Sequence, residues 1–136
     1  MWNRYGLLHY VAVTVFLASS PLFSQEASTS KILIFEGSDW CANCLRLEKE
    51  VLADPQFEKF RQQYALVIER IDFPQRKTLD SKVRAYNEKM AERYAFKGVF
   101  PTVLLIDDQG SLLAPIPYHR QDVFEFIELV RENLPQ

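Results

Sequence analysis

Apolar residues recur along the chain with two different periods, and each period predicts one type of element. Nearly continuous apolar runs rich in β-branched residues are typical of buried strands, and they lie at 31–36, 65–73 and 102–107. Apolar residues spaced three or four positions apart are typical of amphipathic helices, and they lie at 41–52, after Pro55, at 79–96 and at 121–134. Asp108-Gln109-Gly110 predicts a hairpin turn into a short strand at 111–114. Together these patterns predict an α/β domain with the element order βα(α)βαββα.

Local signals also predict helix ends and inward faces. Asp54 followed by Pro55 is typical of an N-cap and the first residue of a helix. Lys97-Gly98 is typical of a C-cap and predicts the end of the helix at 79–96. In the first helix, the spacing places one set of side chains on a single inward face: Cys44, Leu47, Glu48, Val51 and Leu52. We therefore expect Glu48 to lie in apolar surroundings beside Cys44.

The segment at 1–27 predicts a secretory signal peptide. Arg4 supplies a positive charge ahead of the apolar run at 7–18. That run is shorter than the roughly 20 residues that a bilayer-spanning helix needs. The pattern favours a cleaved leader over an uncleaved N-terminal anchor, without fixing the cleavage site. The predicted mature domain is 28–136, and its predicted location is periplasmic or secreted.

Composition sets broad limits on the function. A length of 136 residues with 48% hydrophobic content predicts one domain with a packed core. The formal net charge is −2 and there is no block of basic residues, which argues against nucleic acid as a partner. No internal repeat or low-complexity tract is present, and no cofactor is predicted.

The two cysteines of the chain, Cys41 and Cys44, lie two residues apart where the first predicted strand meets the first helix. The first backbone N–H groups of a helix lack intrahelical partners, and the helix dipole places partial positive charge there. A thiolate at Cys41 is stabilised by both effects, so we expect its pKa to fall below the reference value of about 8.5. Cys44, one turn further along, is predicted to be more buried and to act as the resolving thiol.

Two structural explanations of the cysteine pair are weaker than a redox role, and a third function stays open. A disulfide that closes so short a loop removes little entropy from the unfolded chain. A structural zinc site needs four ligands, and beyond the cysteines the chain offers only His9 and His119 as histidine ligands. His119 is expected on a surface loop. Two thiolates can also hold a soft ion such as Cu(I), so a copper-binding module without turnover remains an alternative.

The residues around the cysteines resemble the thioredoxin superfamily. A strand, the run Asp39-Trp40-Cys41-Ala42-Asn43-Cys44 and a helix are followed far downstream by Phe100-Pro101-Thr102 ahead of another apolar strand. The likeness covers 31–134 and is closer to periplasmic thioredoxin-like proteins, including the soluble C-terminal domain of the bacterial membrane thiol:disulfide interchange reductase. Glu48 and Asp54-Pro55 match that domain's pattern after the second cysteine. The resemblance implies a central mixed β-sheet flanked by helices and a cis bond before Pro101.

The resemblance also implies an activity, which is that of a thiol:disulfide oxidoreductase. Cys41 is expected to attack a disulfide of an exported protein, and Cys44 to resolve the mixed disulfide. A membrane thiol-disulfide electron donor is then expected to reduce the pair again, and the protein is expected to be a monomer. Reduction is favoured on this likeness, with disulfide oxidation or isomerisation as the alternative.

The remaining site residues follow from the same resemblance. Trp40, Phe100, Pro101 and Thr102 are expected to contact substrate. Glu48 is a candidate acceptor for the proton of Cys44, because a partly buried carboxylate has a raised pKa. Thioredoxins place a buried Asp in the first strand, where this chain has Phe35, so the neighbouring Glu36 is the other candidate. The charge of Asp39 disfavours a Cys41 thiolate unless Asp39 is exposed and screened.

Overall fold

The structure is a computed structural model that describes residues 29–135. The predicted signal peptide at 1–27, including the choice between a leader and an anchor, lies outside the described residues. In the range that is described, no helix combines the length and the apolar character needed to span a membrane.

Four strands form one mixed sheet in the order β2-β1-β3-β4. The strands are β1 (Lys31–Glu36), β2 (Val67–Asp72), β3 (Thr102–Ile106) and β4 (Leu112–Ile116). The central strand β1 runs parallel to β2 and antiparallel to β3, and β3 pairs antiparallel with β4. In this register Thr102 lies opposite Phe35, so the residues just before β3 reach the edge of the sheet where β1 ends.

Helices cover both faces of this sheet. They are α1 (Ala42–Leu47), which continues into a π-helical turn (Glu48–Leu52), α2 (Pro55–Gln63), α3 (Ser81–Arg93) and α4 (Val123–Glu132). Alternate residues of β1 enter different cores: Ile32 and Ile34 pack with α1, α2 and α4, whereas Leu33 and Phe35 pack on the side of α3. A strand buried on both faces needs apolar residues at every position, which explains the continuous run in the sequence. The predicted element order and the mixed, helix-flanked sheet are confirmed.

The helix predicted at 41–52 is confirmed in extent, as an α-helix to Leu47 that continues into the π-helical turn. One predicted helix end is wrong. The third helix ends at Arg93, and the left-handed residue that caps it is Ala95, with φ 49°. The expected residue, Gly98, also has a positive φ of 74°, but it lies beyond the helix end. The Phe96 N–H bonds to the carbonyl of Ala91, which closes a Schellman motif. The Phe96 ring stacks on Phe35 with centroids 4.5 Å apart, and this burial fixes the helix end before Lys97-Gly98 is reached.

Replacing Ala95 by glycine is expected to stabilise the protein. The left-handed conformation costs a residue with a Cβ about 1–2 kcal/mol, and glycine avoids this cost. Part of the gain is offset because glycine raises the conformational entropy of the unfolded chain. We expect a net gain of about 0.5–1 kcal/mol in the free energy of unfolding, measured by urea denaturation. Ala53→Gly is the matched control, because Ala53 is also exposed after a helix but has φ −87°. Ala53→Gly should lose stability, and equal losses in both variants would contradict the explanation.

Candidate active site

The cysteine pair lies at the N-terminus of α1. Cys41 is the N-cap residue and Cys44 lies in the first turn, and the two are joined by a disulfide with Cα atoms 5.2 Å apart. The Sγ of Cys41 accepts a hydrogen bond from the backbone N–H of Cys44 at 3.2 Å. Both residues are almost fully buried, at 6% and 4% exposure, so the expected contrast in burial between them is small. The sulfur of Cys41 therefore occupies the position where a helix N-terminus stabilises negative charge.

A tight turn at Gly37 sets the direction in which the chain enters α1. The carbonyl of Gly37 accepts hydrogen bonds from the backbone N–H groups of Trp40 at 3.2 Å and Cys41 at 2.9 Å. The indole of Trp40 lies directly over the glycine, and a Cβ there would lie 2.7 Å from Cζ2 of the indole. The position requires glycine because the Trp40 ring fills the space of a side chain.

The last residue of β2, Asp72, and the segment that follows it accept hydrogen bonds from this turn. Ser38 donates to the Asp72 carboxylate through its backbone N–H, at 2.9 Å, and its hydroxyl, at 2.7 Å. The indole N–H of Trp40 donates to the carbonyl of Phe73 at 2.8 Å. Buried Asn87 of α3 holds the same segment through the carbonyl of Asp72 at 2.7 Å. The direction of the chain into Cys41 is thus fixed by contacts with residues more than 30 positions away.

Asp39 also forms hydrogen bonds with the segment after β2. Its carboxylate accepts hydrogen bonds from the backbone N–H groups of Gln75, Arg76 and Lys77 at 2.8–3.0 Å. Desolvation raises the pKa of Asp39, but these three hydrogen bonds outweigh it, and the pKa is lowered. Asp39 stays ionised at neutral pH. The loop N–H groups stabilise its negative charge, which reduces the effect of that charge on Cys41.

The loop before β3 meets the cysteine turn through an aromatic contact. The Phe100–Pro101 peptide bond is cis, as the family resemblance implied. The Phe100 ring packs edge-on against Trp40 with centroids 5.2 Å apart, and it also contacts Phe96 at 5.0 Å. The hydroxyl of Thr102 donates to the carbonyl of Val99 at 2.7 Å, which tightens this loop. The structure therefore brings Trp40 and the expected docking loop together beside Cys41.

Comparisons with known proteins agree with this geometry. A family model described as a thioredoxin-like domain matches residues 23–125. The chain belongs to the thioredoxin-like family. The predicted family and fold class are confirmed.

Individual relatives give the same picture. The chain is 28% identical over 102 residues to the disulfide bond reductase DsbH of Chlamydia pneumoniae, covering 75% of this chain and 60% of that protein's length. A solved structure of DsbH oxidoreductase is similar with a TM-score of 0.71 and 26% identity, over 78% of this chain and 72% of that one. The reduced C-terminal domain of Neisseria meningitidis DsbD shares the fold, with a TM-score of 0.55 and 18% identity over 80% and 84% of the two chains.

Within this thioredoxin-like site, the expected position of Glu48 is wrong. Its side chain is 46% exposed and forms an ion pair with Arg70 instead of packing in apolar surroundings beside Cys44. Val51 and Leu52, on the same predicted face, are buried as expected. Glu48 is the exception because an ion pair holds its carboxylate against Arg70. The role of Glu48 as a proton acceptor stays a prediction.

Glu36, the second candidate, is the buried carboxylate of the pair. It ends β1, is only 7% exposed and accepts a hydrogen bond from Arg70 at 3.0 Å. Burial raises the pKa of Glu36, while Arg70 opposes the rise and Asp72 adds to it, with a raised pKa as the result. Arg70 therefore bridges the end of β1 and the turn after Cys44. No sequence pattern indicated this role, although the register of β1 and β2 places Arg70 near Glu36.

Metal ligation finds no support among the residues that the structure describes. No group of three or more His, Cys, Asp or Glu side chains is placed to hold a metal ion within 29–135. His119 lies on an exposed loop after β4, as expected, and His9 falls outside the described residues.

The raised pKa of Glu36 predicts how stability depends on pH. The folded state binds this proton more tightly than the unfolded state, in which the pKa is the ordinary 4.5. The protonated carboxyl therefore stabilises the fold fully below pH 4.5, and this contribution is lost as pH rises through the folded-state pKa. We expect the free energy of unfolding of the wild type, minus that of Glu36→Gln, to fall as pH rises from 4.5. Urea denaturation between about pH 3 and pH 8 measures this difference.

Glu58→Gln is the control of opposite sign. The hydrogen bond from Arg61 lowers the pKa of Glu58, so its contribution is present above the ordinary value of 4.5 and is lost as pH falls. The corresponding difference for Glu58 should therefore rise with pH. A Glu36 difference that also rises with pH would contradict the raised pKa.

Proposed function

We propose that this chain reduces disulfides in exported proteins, with Cys41 as the nucleophile and Cys44 as the resolving thiol. One observation carries the proposal: the two cysteines are disulfide-bonded at the start of α1, and Cys41 Sγ accepts the Cys44 backbone N–H at 3.2 Å. A hydrogen bond to sulfur at this position stabilises a thiolate more than a thiol, because the thiolate is the stronger acceptor.

Two exchange steps transfer one electron pair from the dithiol to the substrate. The Cys41 thiolate attacks one sulfur of the substrate disulfide, forms a mixed disulfide with it and releases the other sulfur as a thiolate. Cys44 then loses its proton and attacks Sγ of Cys41, which forms the Cys41–Cys44 disulfide and releases the second substrate sulfur as a thiolate. The substrate gains two electrons. Its two thiolates take up two protons, one released by Cys44 and one from solvent, so the product is a dithiol.

Glu36 is the better candidate for the acceptor of the Cys44 proton. Its carboxyl is buried and has a raised pKa, so it holds a proton more readily than an exposed glutamate. Glu48 is half exposed and forms an ion pair with Arg70. Arg70 contacts both carboxylates, so it can stabilise whichever one is ionised.

Substrate is proposed to dock on the surface formed by Trp40, Phe100, Pro101 and Thr102. Trp40 and Phe100 pack against one another, and Val99 beside them is 64% exposed, which gives an apolar rim next to Cys41. Such a rim suits an extended substrate segment whose side chains pack on the aromatic rings. The apolar character also limits how strongly this rim can select one substrate over another.

The reducing direction and the partners complete the proposal. The similarity to a protein named disulfide bond reductase supports reduction, although the chain spans only 60% of that relative's length. Continuous turnover then needs an electron donor, which we propose to be a membrane thiol-disulfide protein. The protein is proposed to act outside the cytoplasm, in the periplasm or as a secreted monomer, or to remain anchored if its N-terminal segment is uncleaved.

A trapping experiment tests the assignment of the two cysteines. Cys44→Ser leaves the nucleophile but removes the thiol that resolves the mixed disulfide, so covalent adducts with substrate proteins should accumulate. Cys41→Ser, the matched control, should form far fewer adducts because it removes the attacking thiolate. Non-reducing gels and mass spectrometry of the protein expressed in its exported form measure both. Absence of adducts from both variants, with equal loss of Cu(I) binding, would instead indicate the copper-binding alternative.

A redox titration tests the direction of electron flow. We expect the Cys41–Cys44 pair to have a potential nearer to about −270 mV, typical of thioredoxin, than to the about −120 mV of strong thiol oxidants of the same fold. In glutathione buffers poised at about −200 mV, the purified protein should therefore be mostly disulfide, as read by thiol alkylation. A mostly dithiol protein in those buffers would contradict reduction and favour the oxidase or isomerase alternative.

A further inference from the structure

Arg120, in the loop between β4 and α4, adopts a backbone conformation that is unfavourable for its residue type. Three non-glycine residues of the range 29–135 have positive φ: Ala65, Ala95 and Arg120. Ala65 and Ala95 each end a helix, and the residue after each packs its side chain into a core. Arg120 has φ 65° but follows no helix, so helix capping does not explain it. Such strain in a loop calls for another explanation, and functional sites are where it is concentrated.

The strained conformation places the guanidinium group against the redox pair. Arg120 Nε donates to the side-chain oxygen of Asn43 at 3.2 Å, across 77 positions of sequence, and Asn43 is one of the two residues between the cysteines. The loop itself is held by Gln121, whose side chain accepts from the N–H of His119 at 2.6 Å and donates to the carbonyl of Pro117 at 2.7 Å. These hydrogen bonds hold the loop that carries Arg120, and the other two nitrogens of its guanidinium group lie at an exposed surface.

Arg120 differs from the other arginines that reach a neighbouring side chain. Four of them form ion pairs with glutamates: Arg46, Arg61, Arg70 and Arg131. Arg120 makes no ion pair with any residue in the described part of the chain, and its only side-chain hydrogen-bond partner there is the neutral Asn43. Its two terminal nitrogens keep donors in the fork geometry that matches a carboxylate.

The surroundings limit where an acidic group can reach this arginine. Arg120 and its neighbours His119 and Gln121 line a surface groove of about 660 Å³. Residues of α4 also line it, among them three glutamates: Glu125, Glu128 and Glu132. These acidic side chains disfavour a second carboxylate further along the groove. An acidic ligand is therefore expected to approach Arg120 from the side of Asn43, which does not line this groove and lies between the cysteines in the sequence.

We propose that Arg120 is a specificity-determining residue that binds an Asp or Glu side chain close to the disulfide of a protein substrate. This inference rests on the proposed function, because it assigns a preference to the same exchange reaction. A carboxylate bound here holds the substrate disulfide near Cys41 during attack. Selection would then come from this charged contact, since the apolar rim of Trp40 and Phe100 is weakly selective.

Synthetic disulfide peptides in matched pairs test the proposal. Each pair carries one disulfide and differs only in Asp or Asn at one, two or three residues from the attacked cysteine. Pre-reduced full-length protein is mixed with excess peptide, and the second-order rate constant of a single turnover is read from released peptide thiols. For at least one spacing, we expect wild type to favour Asp about tenfold, through apparent affinity and not the limiting rate.

Two variants of Arg120 separate recognition from structure. Arg120→Gly should bring the Asp-to-Asn ratio close to one, yet should not lower the thermal unfolding midpoint, because glycine favours φ 65°. Arg120→Lys keeps the charge but not the paired donors, so its ratio should fall between those of wild type and Arg120→Gly. Arg131→Gln removes one exposed arginine at the other end of α4 and should keep the wild-type ratio.

Each outcome has a definite meaning. Equal rates for Asp and Asn peptides in wild type at every spacing, with both peptides reduced, would overturn the role of Arg120 and leave the proposed function standing. An Asp preference that survives in Arg120→Gly would also overturn it. Failure of wild type to reduce any peptide would overturn the proposed function and this inference together.

Discussion

The geometry of the site depends on hydrogen bonds between the turn before Cys41 and the segment after β2. Asp39 binds three consecutive backbone N–H groups there, Ser38 binds the Asp72 carboxylate, and the Trp40 indole binds the Phe73 carbonyl. Exposed hydrogen bonds are individually worth about 1 kcal/mol, but several that share one rigid turn restrict it together. The helix N-terminus can favour a thiolate only if the chain delivers the sulfur to it, and this network does so.

Trp40 also connects the site, through aromatic contacts, to the core on the α3 side of the sheet. Phe100 touches Trp40 on one side and Phe96 on the other, and Phe96 stacks on Phe35 of β1. Phe35 is fully buried, so the aromatic chain runs from the proposed docking surface to the interior. Because packed interiors resist small displacements, this surface is held in place by the core and does not depend on its loop alone.

Sequence reasoning succeeded where short-range patterns decide the structure. The strand β1, the cysteine pair at the start of α1 and the loop before β3 all follow from neighbouring residues and the family resemblance. It failed at Glu48, whose carboxylate pairs with Arg70 instead of facing the core, and at Arg70 itself, which contacts carboxylates 34 and 22 positions away. Tertiary partners at such separations leave no periodic signal in one sequence, so these contacts were beyond prediction.

Left-handed residues show how a strained backbone can serve either the fold or the site. At Ala65 and Ala95 the unfavourable conformation turns the chain so that Leu66 and Phe96 enter the two cores. Burying a large apolar side chain gains about 1.5–3 kcal/mol, which offsets the about 1–2 kcal/mol of left-handed strain. Arg120 buries nothing comparable, since it is exposed and contacts a polar residue at the surface. Because Arg120 contacts Asn43, between the two cysteines, the strain that the fold does not use agrees with the proposed role of Arg120 in binding substrate.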